Sequence, residues 1–414
     1  MHHLTEPRPV EGKFLTPTVI ALIIIVLNGL VWLVIRFIFG IGAVANLTDQ
    51  YPWGILKGVN VAAGVALAAG GFTTAALTHI FHKEYFHDII RPALLLSFLG
   101  YMFAGMSVVI DLGRFYQFWH PMVFWNGNSV LFEVAICVMA YVTVLGIEFM
   151  PIVCERFIGR VNLKGVLSIF NRPIDLLLRY SDRILDKTLF FFIITGVVLS
   201  CLHQSSLGAL MMLAGQKIHP LWQSPISPLM FLLSAIAVGF PMVILQTIIT
   251  EKSLDLKPST YILANLGKYV GPLLGIYLAS KIGDLVIRET FVYLTSFSVA
   301  SVMWTIEILF GVIIPLRMFF WDKVLTSRPL LLTASLLLIM GVFLNRFNVF
   351  ITAYKPLYAE TPYWPALGEI SISLGLVALQ ILLFRAFIFI FPVMSQPIKQ
   401  LRTKTKYAIR GVIR

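Results

Sequence analysis

The chain has 414 residues, of which 58% are hydrophobic and 13% are charged, and its mean hydropathy is +0.87. A soluble globular protein carries about 25% charged residues, so this chain has too few to cover a surface that faces water. The composition excludes a soluble enzyme, a disordered protein and a disulfide-stapled secreted domain, and it predicts an integral membrane protein. The formal net charge of +12 fits basic loops beside a membrane better than binding to nucleic acid.

Long apolar runs predict an all-α polytopic membrane protein. A helix needs about 20 apolar residues to cross the hydrocarbon core, whereas the strands of a membrane barrel alternate in polarity. The first run is too long for the apolar core of a signal peptide, so we expect it to remain as the first span. We predict ten spans, at about 17–39, 54–80, 92–111, 128–150, 188–212, 226–250, 268–288, 298–320, 329–348 and 366–392.

The distribution of basic residues predicts the orientation of the chain. Of the Lys and Arg residues between the spans, 21 lie on the side of the N-terminus and three lie on the opposite side, namely Arg114, Lys217 and Lys355. Basic residues concentrate in cytoplasmic loops, so both termini are expected in the cytoplasm. That expectation requires an even number of spans.

The segment 151–187 is the one long connection predicted in the cytoplasm. It mixes leucines with basic residues, which suits an amphipathic helix lying on an anionic leaflet. We predict two helical bundles, divided at this connection. The first part, 1–187, holds four spans and the connection, the second, 188–392, holds six spans, and 393–414 is a basic cytoplasmic tail.

Ionisable side chains within a membrane are costly and mark functional sites. Asp111 lies at the outer end of the third span, Glu133 about one turn into the fourth, and His203 in the outer half of the fifth. Two acids beside an apolar pocket can exchange protons with a redox ligand, and His203 can hydrogen-bond a ligand carbonyl. A purely structural hydrogen bond remains open for His203. Haem ligation would need a second facing histidine, which the spans lack.

Other ionisable residues lie at several depths. Arg346 and Glu369 are near the outer ends of the ninth and tenth spans. Four residues form a candidate proton pathway: Glu148, Lys281, Asp284 and Glu307. The three cysteines, Cys137, Cys154 and Cys201, have no ligand spacing, so we expect apolar packing and neither an iron–sulfur cluster nor another metal site in this chain.

Several motifs give the chain a resemblance to a known family. They are YPWG at 51–54, AAGGF at 68–72, RPALLLSFLGY at 91–101, IDLGR at 110–114, NSVLFE at 128–133, HQSSLG at 203–208, HPLWQS at 219–224 and GEISISLG at 368–375. With these motifs the chain resembles the polysulfide-reductase-type membrane subunits, or NrfD family. It looks nearest to the ten-helix branch, which serves periplasmic hydrogenase-2 and the menaquinone reductase complex of sulfate reducers.

The resemblance implies a membrane subunit without haem or iron–sulfur cluster, which binds menaquinone as substrate near the periplasmic face of the bacterial inner membrane. A periplasmic, ferredoxin-like iron–sulfur subunit would exchange electrons with it, joined by a hydrogenase, a molybdopterin-type protein or a multihaem cytochrome c. The catalytic residues would be Asp111, Glu133 and His203. The expected quinone contacts are Trp53, Gly71, Arg114, Asn128, Trp222 and Gln223.

Two other functions stay open at this point. Ten helices with charges and glycine-rich spans also suit a secondary transporter, and the chain could be an anchor that only tethers a periplasmic enzyme. We favour a subunit of a menaquinone-reducing complex, and we expect this subunit to be inactive without its partners. Proton translocation by the complex stays open. An anchor has no need for acids within the bilayer.

Overall fold

The described part of the chain is dominated by long helices. The computed structural model describes residues 5–51, 54–359 and 361–397. In these ranges ten helices are long and apolar enough to cross a membrane, as predicted. They are α1 (Pro17–Phe39), α2 (Gly58–Ile80, preceded by a first turn from Ile55), α3 (His87–Asp111), α4 (Val130–Phe157), α5 (Asn171–Leu213), α6 (Ser227–Ser253), α7 (Thr260–Ile287), α8 (Val299–Phe319), α9 (Arg328–Thr352) and α10 (Leu367–Ile390).

Local sequence signals explain where several spans begin. The Thr16 hydroxyl accepts from the Val19 amide before α1, the Ser129 hydroxyl accepts from the Phe132 amide before α4, and Ser298 caps α8 in the same way. Hydroxyl side chains satisfy amides that a helix start leaves free. The spans therefore begin where a capping residue meets an apolar run.

The two ends of the described chain meet. Strand β1 (Thr5–Arg8) pairs antiparallel with β2 (Met394–Pro397), and the Val10 amide donates to the Ile388 carbonyl at 2.9 Å. This pairing places both ends on one side of the membrane, which an even number of spans requires. That this side is cytoplasmic stays a prediction, and most of the 393–414 tail lies outside the described residues.

The connection after α4 differs from the amphipathic surface helix that was expected. Residues 171–187 are the first turns of α5, which runs without a break for 43 residues. At 1.5 Å per residue it is about 65 Å long, far more than the hydrocarbon thickness. The predicted division at 187 therefore falls inside a helix, and a position of residues 171–187 on the leaflet stays a prediction.

The spans pack in an order that only partly follows the chain. Neighbours from α2 to α9 pack on each other in turn, and α2 also contacts α6 and α9 at the centre of the molecule. In contrast, α1 packs on α10.

Three spans contain a π-helical stretch, at Ala76–Ile80, Leu309–Ile313 and Asn348–Thr352. Such stretches often accompany functional sites, and the last two border a buried polar group described below.

A glycine pair joins α1 to α10. A methyl group built on Gly29 would lie 2.9 Å from the Gly375 Cα and 3.0 Å from the Ser371 carbonyl oxygen. Small residues allow two helix backbones to approach closely within a membrane. This contact holds the first span against the last.

We expect Gly375→Leu to force α1 away from α10 and to destabilise the protein by about 1–3 kcal/mol, the usual cost of overpacking. Thermal unfolding in detergent measures the effect. Val377→Leu is the matched control, because Val377 is exposed on the same helix and has room for a larger side chain. Equal stability of the two variants would contradict the close contact.

Candidate functional site

Two acids meet at the ends of the helices that are predicted to face the outer side. Asp111 is the last residue of α3, and Glu369 lies in the first turn of α10. A methyl group built on Gly54, just before α2, would lie 2.8 Å from Asp111 Oδ1 and 3.1 Å from Glu369 Oε1. The two carboxyl groups therefore border the same point. We call Asp111, Glu369, Arg36 and Tyr363 the outer acid group.

Arg36 reaches this group from α1. Its Nε donates to the Ile110 carbonyl at 2.6 Å, and a terminal nitrogen donates to the Leu112 carbonyl at 2.5 Å. The guanidinium thus caps the carbonyl end of α3, where the helix dipole favours a cation. It also attracts Asp111 electrostatically, so one positive charge partly offsets the acid.

Glu369 is fully enclosed and well supplied with donors. The Tyr363 hydroxyl lies 2.6 Å from each carboxyl oxygen, and the Ala366 amide donates to Oε2 at 2.8 Å. The Tyr363 ring packs 5.4 Å from the Tyr51 ring, in the outer loops. Burial raises the pKa of Tyr51, and its hydroxyl donates to the Thr361 carbonyl at 3.2 Å.

A second polar group lies deeper, between α3, α4 and α5, and we call it the tyrosine–histidine group. Tyr101 and Ser200 share a hydrogen bond of 2.9 Å, and the Tyr101 ring packs edge-on against Tyr141 at 4.4 Å. The His203 ring lies 5.7 Å from Tyr101. Both His203 nitrogens are buried without a hydrogen-bond partner among the described residues. A buried polar group of this kind calls for an explanation such as a ligand or water.

The acids of α4 lie on either side of this depth. Glu133 is exposed in the first turn of α4 and accepts from the Ser206 hydroxyl at 2.6 Å. Ser206 lies on α5, less than one turn beyond His203. Glu148 is close to α5, because a methyl group built on Gly196 would lie 2.6 Å from its Oε1. Glu133 and Glu148 are thus both beside α5, as a route along α4 would require.

A third group is centred on Glu307 in α8. Its carboxylate accepts from Trp222 Nε1 at 2.8 Å, from Asn345 Nδ2 at 2.7 Å and from Asn348 Nδ2 at 2.8 Å. The fully buried Arg346 donates to Asn345 Oδ1 at 2.6 Å. A cavity of about 10 Å³ beside Glu307 and Asn345 has room for about one water.

Asp284 and Lys281 lie near this third group on α7. Arg288 forms an ion pair with Asp284 at 2.7 Å, and the Ser224 hydroxyl donates to Asp284 at 2.8 Å. Lys281 is buried and forms no ion pair in the described ranges, although it attracts both Glu307 and Asp284 electrostatically. The predicted shared face of Lys281, Asp284 and Arg288 is therefore present.

Residues 43–357 match the family described as Polysulphide reductase, NrfD. The chain belongs to the NrfD family. It is 32% identical over 401 residues, covering 95% of this chain and 96% of the relative, to the probable Ni/Fe-hydrogenase 2 b-type cytochrome subunit of Escherichia coli. It is 26% identical to a selenate reductase subunit of Mesobacillus selenatarsenatis, with 92% and 94% of the two chains covered. It is 24% identical to the menaquinone reductase integral membrane subunit of Nitratidesulfovibrio vulgaris, with 85% and 86% covered.

The structure of this NrfD protein distributes the predicted catalytic residues over two groups. Asp111 belongs to the outer acid group. His203 belongs to the tyrosine–histidine group, and Glu133 lies near it through its bond to Ser206 of α5. Asp111 and Tyr101 are ten residues apart on α3, a rise of about 15 Å. Asp111 and the tyrosine–histidine group therefore lie at different depths, and joint contact of the three residues with one quinone head group stays a prediction.

The structure gives the surroundings of several predicted quinone contacts. Trp222 is buried and its Nε1 donates to Glu307, so its ring belongs to the third group, and its contact with a quinone stays a prediction. Gly71 packs against α3, where its amide donates to the Ser97 hydroxyl at 2.7 Å, which leaves no flat surface for a ligand. Arg114 is exposed, and Arg36 is a cation that interacts with Asp111.

The remaining predicted contacts are less defined. Asn128 is exposed and Gln223 is half-buried, and Trp53 lies outside the described residues. Sequence reasoning missed Arg36, although a lone charge in an apolar run is the same signal that selected the other candidates. It also missed Tyr101 and Tyr363, since tyrosines within spans carry no comparable signal.

Proposed function

We propose that this NrfD protein is the quinone-interacting membrane subunit of a respiratory oxidoreductase complex in the bacterial cytoplasmic membrane. It would exchange electrons between a periplasmic iron–sulfur partner and menaquinone, in the direction of menaquinone reduction. The names of two relatives, a menaquinone reductase and a selenate reductase subunit, support an oxidoreductase complex. The observation that carries the proposal is the buried His203 ring with two unpartnered nitrogens.

In this proposal the menaquinone head group lies in the outer half of the membrane, between the tyrosine–histidine group and the outer acid group. His203 hydrogen-bonds a quinone carbonyl, and Asp111 exchanges protons with the quinone oxygens. Glu133, exposed on α4 beside Ser206, marks the proposed point of entry for a lipid-soluble quinone. Such carboxyl groups suit general acid–base work.

The electron carriers are assigned to partner subunits. The name of the Escherichia coli relative includes a b-type cytochrome, and a b-type haem with two histidine ligands needs two rings facing each other. In the described structure His203 packs against Tyr101, with no second histidine ring beside it. The surroundings of His203 therefore do not fit a bis-histidine haem.

The route through Lys281, Asp284 and Glu307 stays a prediction of proton transfer. Both Glu307 oxygens already accept hydrogen bonds, and Asp284 is paired with Arg288. These hydrogen bonds and this ion pair indicate a structural role for Glu307 and Asp284. Glu148 on α4 remains the candidate for an inner proton route.

The test is a fluorescence titration of the purified complex with the quinol analogue 2-heptyl-4-hydroxyquinoline N-oxide. We expect saturable binding, weakened about tenfold in His203→Ala, since losing a hydrogen bond to a buried partner costs about 1–3 kcal/mol. The control is His87→Ala, which alters an exposed histidine at the start of α3.

The absence of saturable binding to the folded complex would remove the quinone function. Substrate flux in proteoliposomes without a redox partner would then support a transporter. Quinone-linked activity that survives neutral substitutions at Asp111, Glu133 and His203 would instead support an anchor.

A further inference from the structure

The outer acid group contains a second carboxyl group, that of Glu369, to which no function has yet been assigned. Asp111 and Glu369 both lie about 3 Å from the methyl position of Gly54. They come from α3 and α10, so the approach is created by packing between helices. Two like charges at this spacing in a medium of low dielectric repel each other, so a second carboxyl group at this point carries an energetic cost.

A structural role explains part of the arrangement. Glu369 accepts from the Ala366 amide, and an acid in the first helical turn stabilises the helix start. A neutral acceptor could also bond that amide, however, without placing a second acid beside Asp111. The cap alone therefore does not require a carboxyl group at this position.

Glu369 also lies between Asp111 and Tyr363. On one side it borders Asp111 across Gly54, and on the other it binds the Tyr363 hydroxyl. Tyr363 precedes α10 and packs on Tyr51 among the outer loops. A carboxyl group between an acid and a phenol can accept a proton from one neighbour and pass it to the other.

We propose that Glu369 is a proton-relay residue that carries protons between Asp111 and the outer aqueous side through Tyr363. This inference rests on the proposed quinone function. It assigns a role to the tenth span, which supplied none of the predicted site residues.

The relay leaves the protein unchanged after each cycle. Reduction of one menaquinone takes two electrons from the iron–sulfur partner and two protons. Each proton leaves outer water, passes Tyr363 and Glu369 to Asp111, and forms an O–H bond on a quinone oxygen. In the oxidising direction the same O–H bonds break and the protons move outward.

The test compares menaquinone-linked turnover and inhibitor binding in the intact complex. Glu369→Gln keeps an oxygen that accepts from Tyr363 or Ala366 but cannot carry a proton. We expect turnover to fall about 100-fold, the scale of acid–base assistance, and the solvent deuterium isotope effect to increase. Affinity for the quinol analogue should stay within about threefold of the wild type, and Glu369→Asp should recover part of the turnover.

Tyr363→Phe is the second variant, because it removes the outer hydroxyl and leaves the Ala366 cap intact. We expect its turnover to fall about tenfold. Tyr354→Phe is the matched control, since Tyr354 lies beside Tyr51 and its hydroxyl has no hydrogen-bond partner in the described structure; its turnover should not change.

The outcomes separate the relay from the quinone function itself. Normal turnover in Glu369→Gln, or in Tyr363→Phe if the first variant fails to assemble, would overturn the relay while inhibitor binding still supports the quinone site. Wild-type complex that does not bind the inhibitor would instead overturn the proposed function.

Discussion

Replacing Asp111 by Asn is expected to lower menaquinone-linked turnover of the assembled complex by about 10²–10⁴-fold, the range for loss of a general acid or base. Asn has nearly the same shape as Asp and preserves the space beside Gly54. It cannot exchange a proton with a quinone oxygen. The measurement is steady-state turnover with a soluble menaquinone analogue, normalised to the amount of intact complex.

The control for this prediction is Asp49→Asn, because Asp49 is exposed in the connection between α1 and α2. We expect its turnover to equal that of the wild type. Inhibitor affinity should change little in either variant, since Asn still offers polar atoms at the site. Wild-type turnover in Asp111→Asn would show that this acid does not transfer protons in the rate-limiting part of the cycle.

The second large effect is expected at Glu307, where substitution should destabilise the fold. Glu307→Leu leaves Trp222 Nε1, Asn345 Nδ2 and Asn348 Nδ2 without their buried acceptor. Each unsatisfied donor costs about 1–3 kcal/mol, so we expect little folded protein. Size-exclusion chromatography of detergent-solubilised protein measures the folded fraction.

Glu307→Gln distinguishes a structural role from proton transfer. One amide oxygen replaces two carboxylate oxygens, and the new amide nitrogen faces donors, so we expect reduced stability with normal turnover per folded complex. Glu289→Gln, at an exposed residue just beyond α7, should change neither property. A stable Glu307→Gln complex with lost turnover would favour the proton route through Glu307.

The spans and the family could be predicted from the sequence. All ten predicted runs correspond to helices of the structure, because the thickness of the hydrocarbon core sets a length that a local run of residues either meets or fails. The motif order also indicated the NrfD family, which the match over residues 43–357 confirms. Both signals are local and need no knowledge of packing.

The partners of the buried polar residues could not be predicted in the same way. Trp222 was expected near His203, but it binds Glu307, 85 positions along the chain. Likewise, Asp111 lies three residues from Arg114 in the chain, yet Arg36 from α1 and Glu369 from α10 lie beside it. Depth in the membrane follows from residue counting, whereas the direction of a side chain depends on how each helix is rotated.

The sequence by itself therefore determined that this is a ten-span membrane protein of the NrfD family, with costly polar residues at known depths. Only the tertiary structure decided which of them meet, and it divided them into three groups. The physical reason is that lipid and protein interior are about equally apolar, so the spans lack the periodic polarity that would reveal a buried face. Close contacts such as Gly29 with Gly375, and the approach of two acids at Gly54, arise only when distant helices pack.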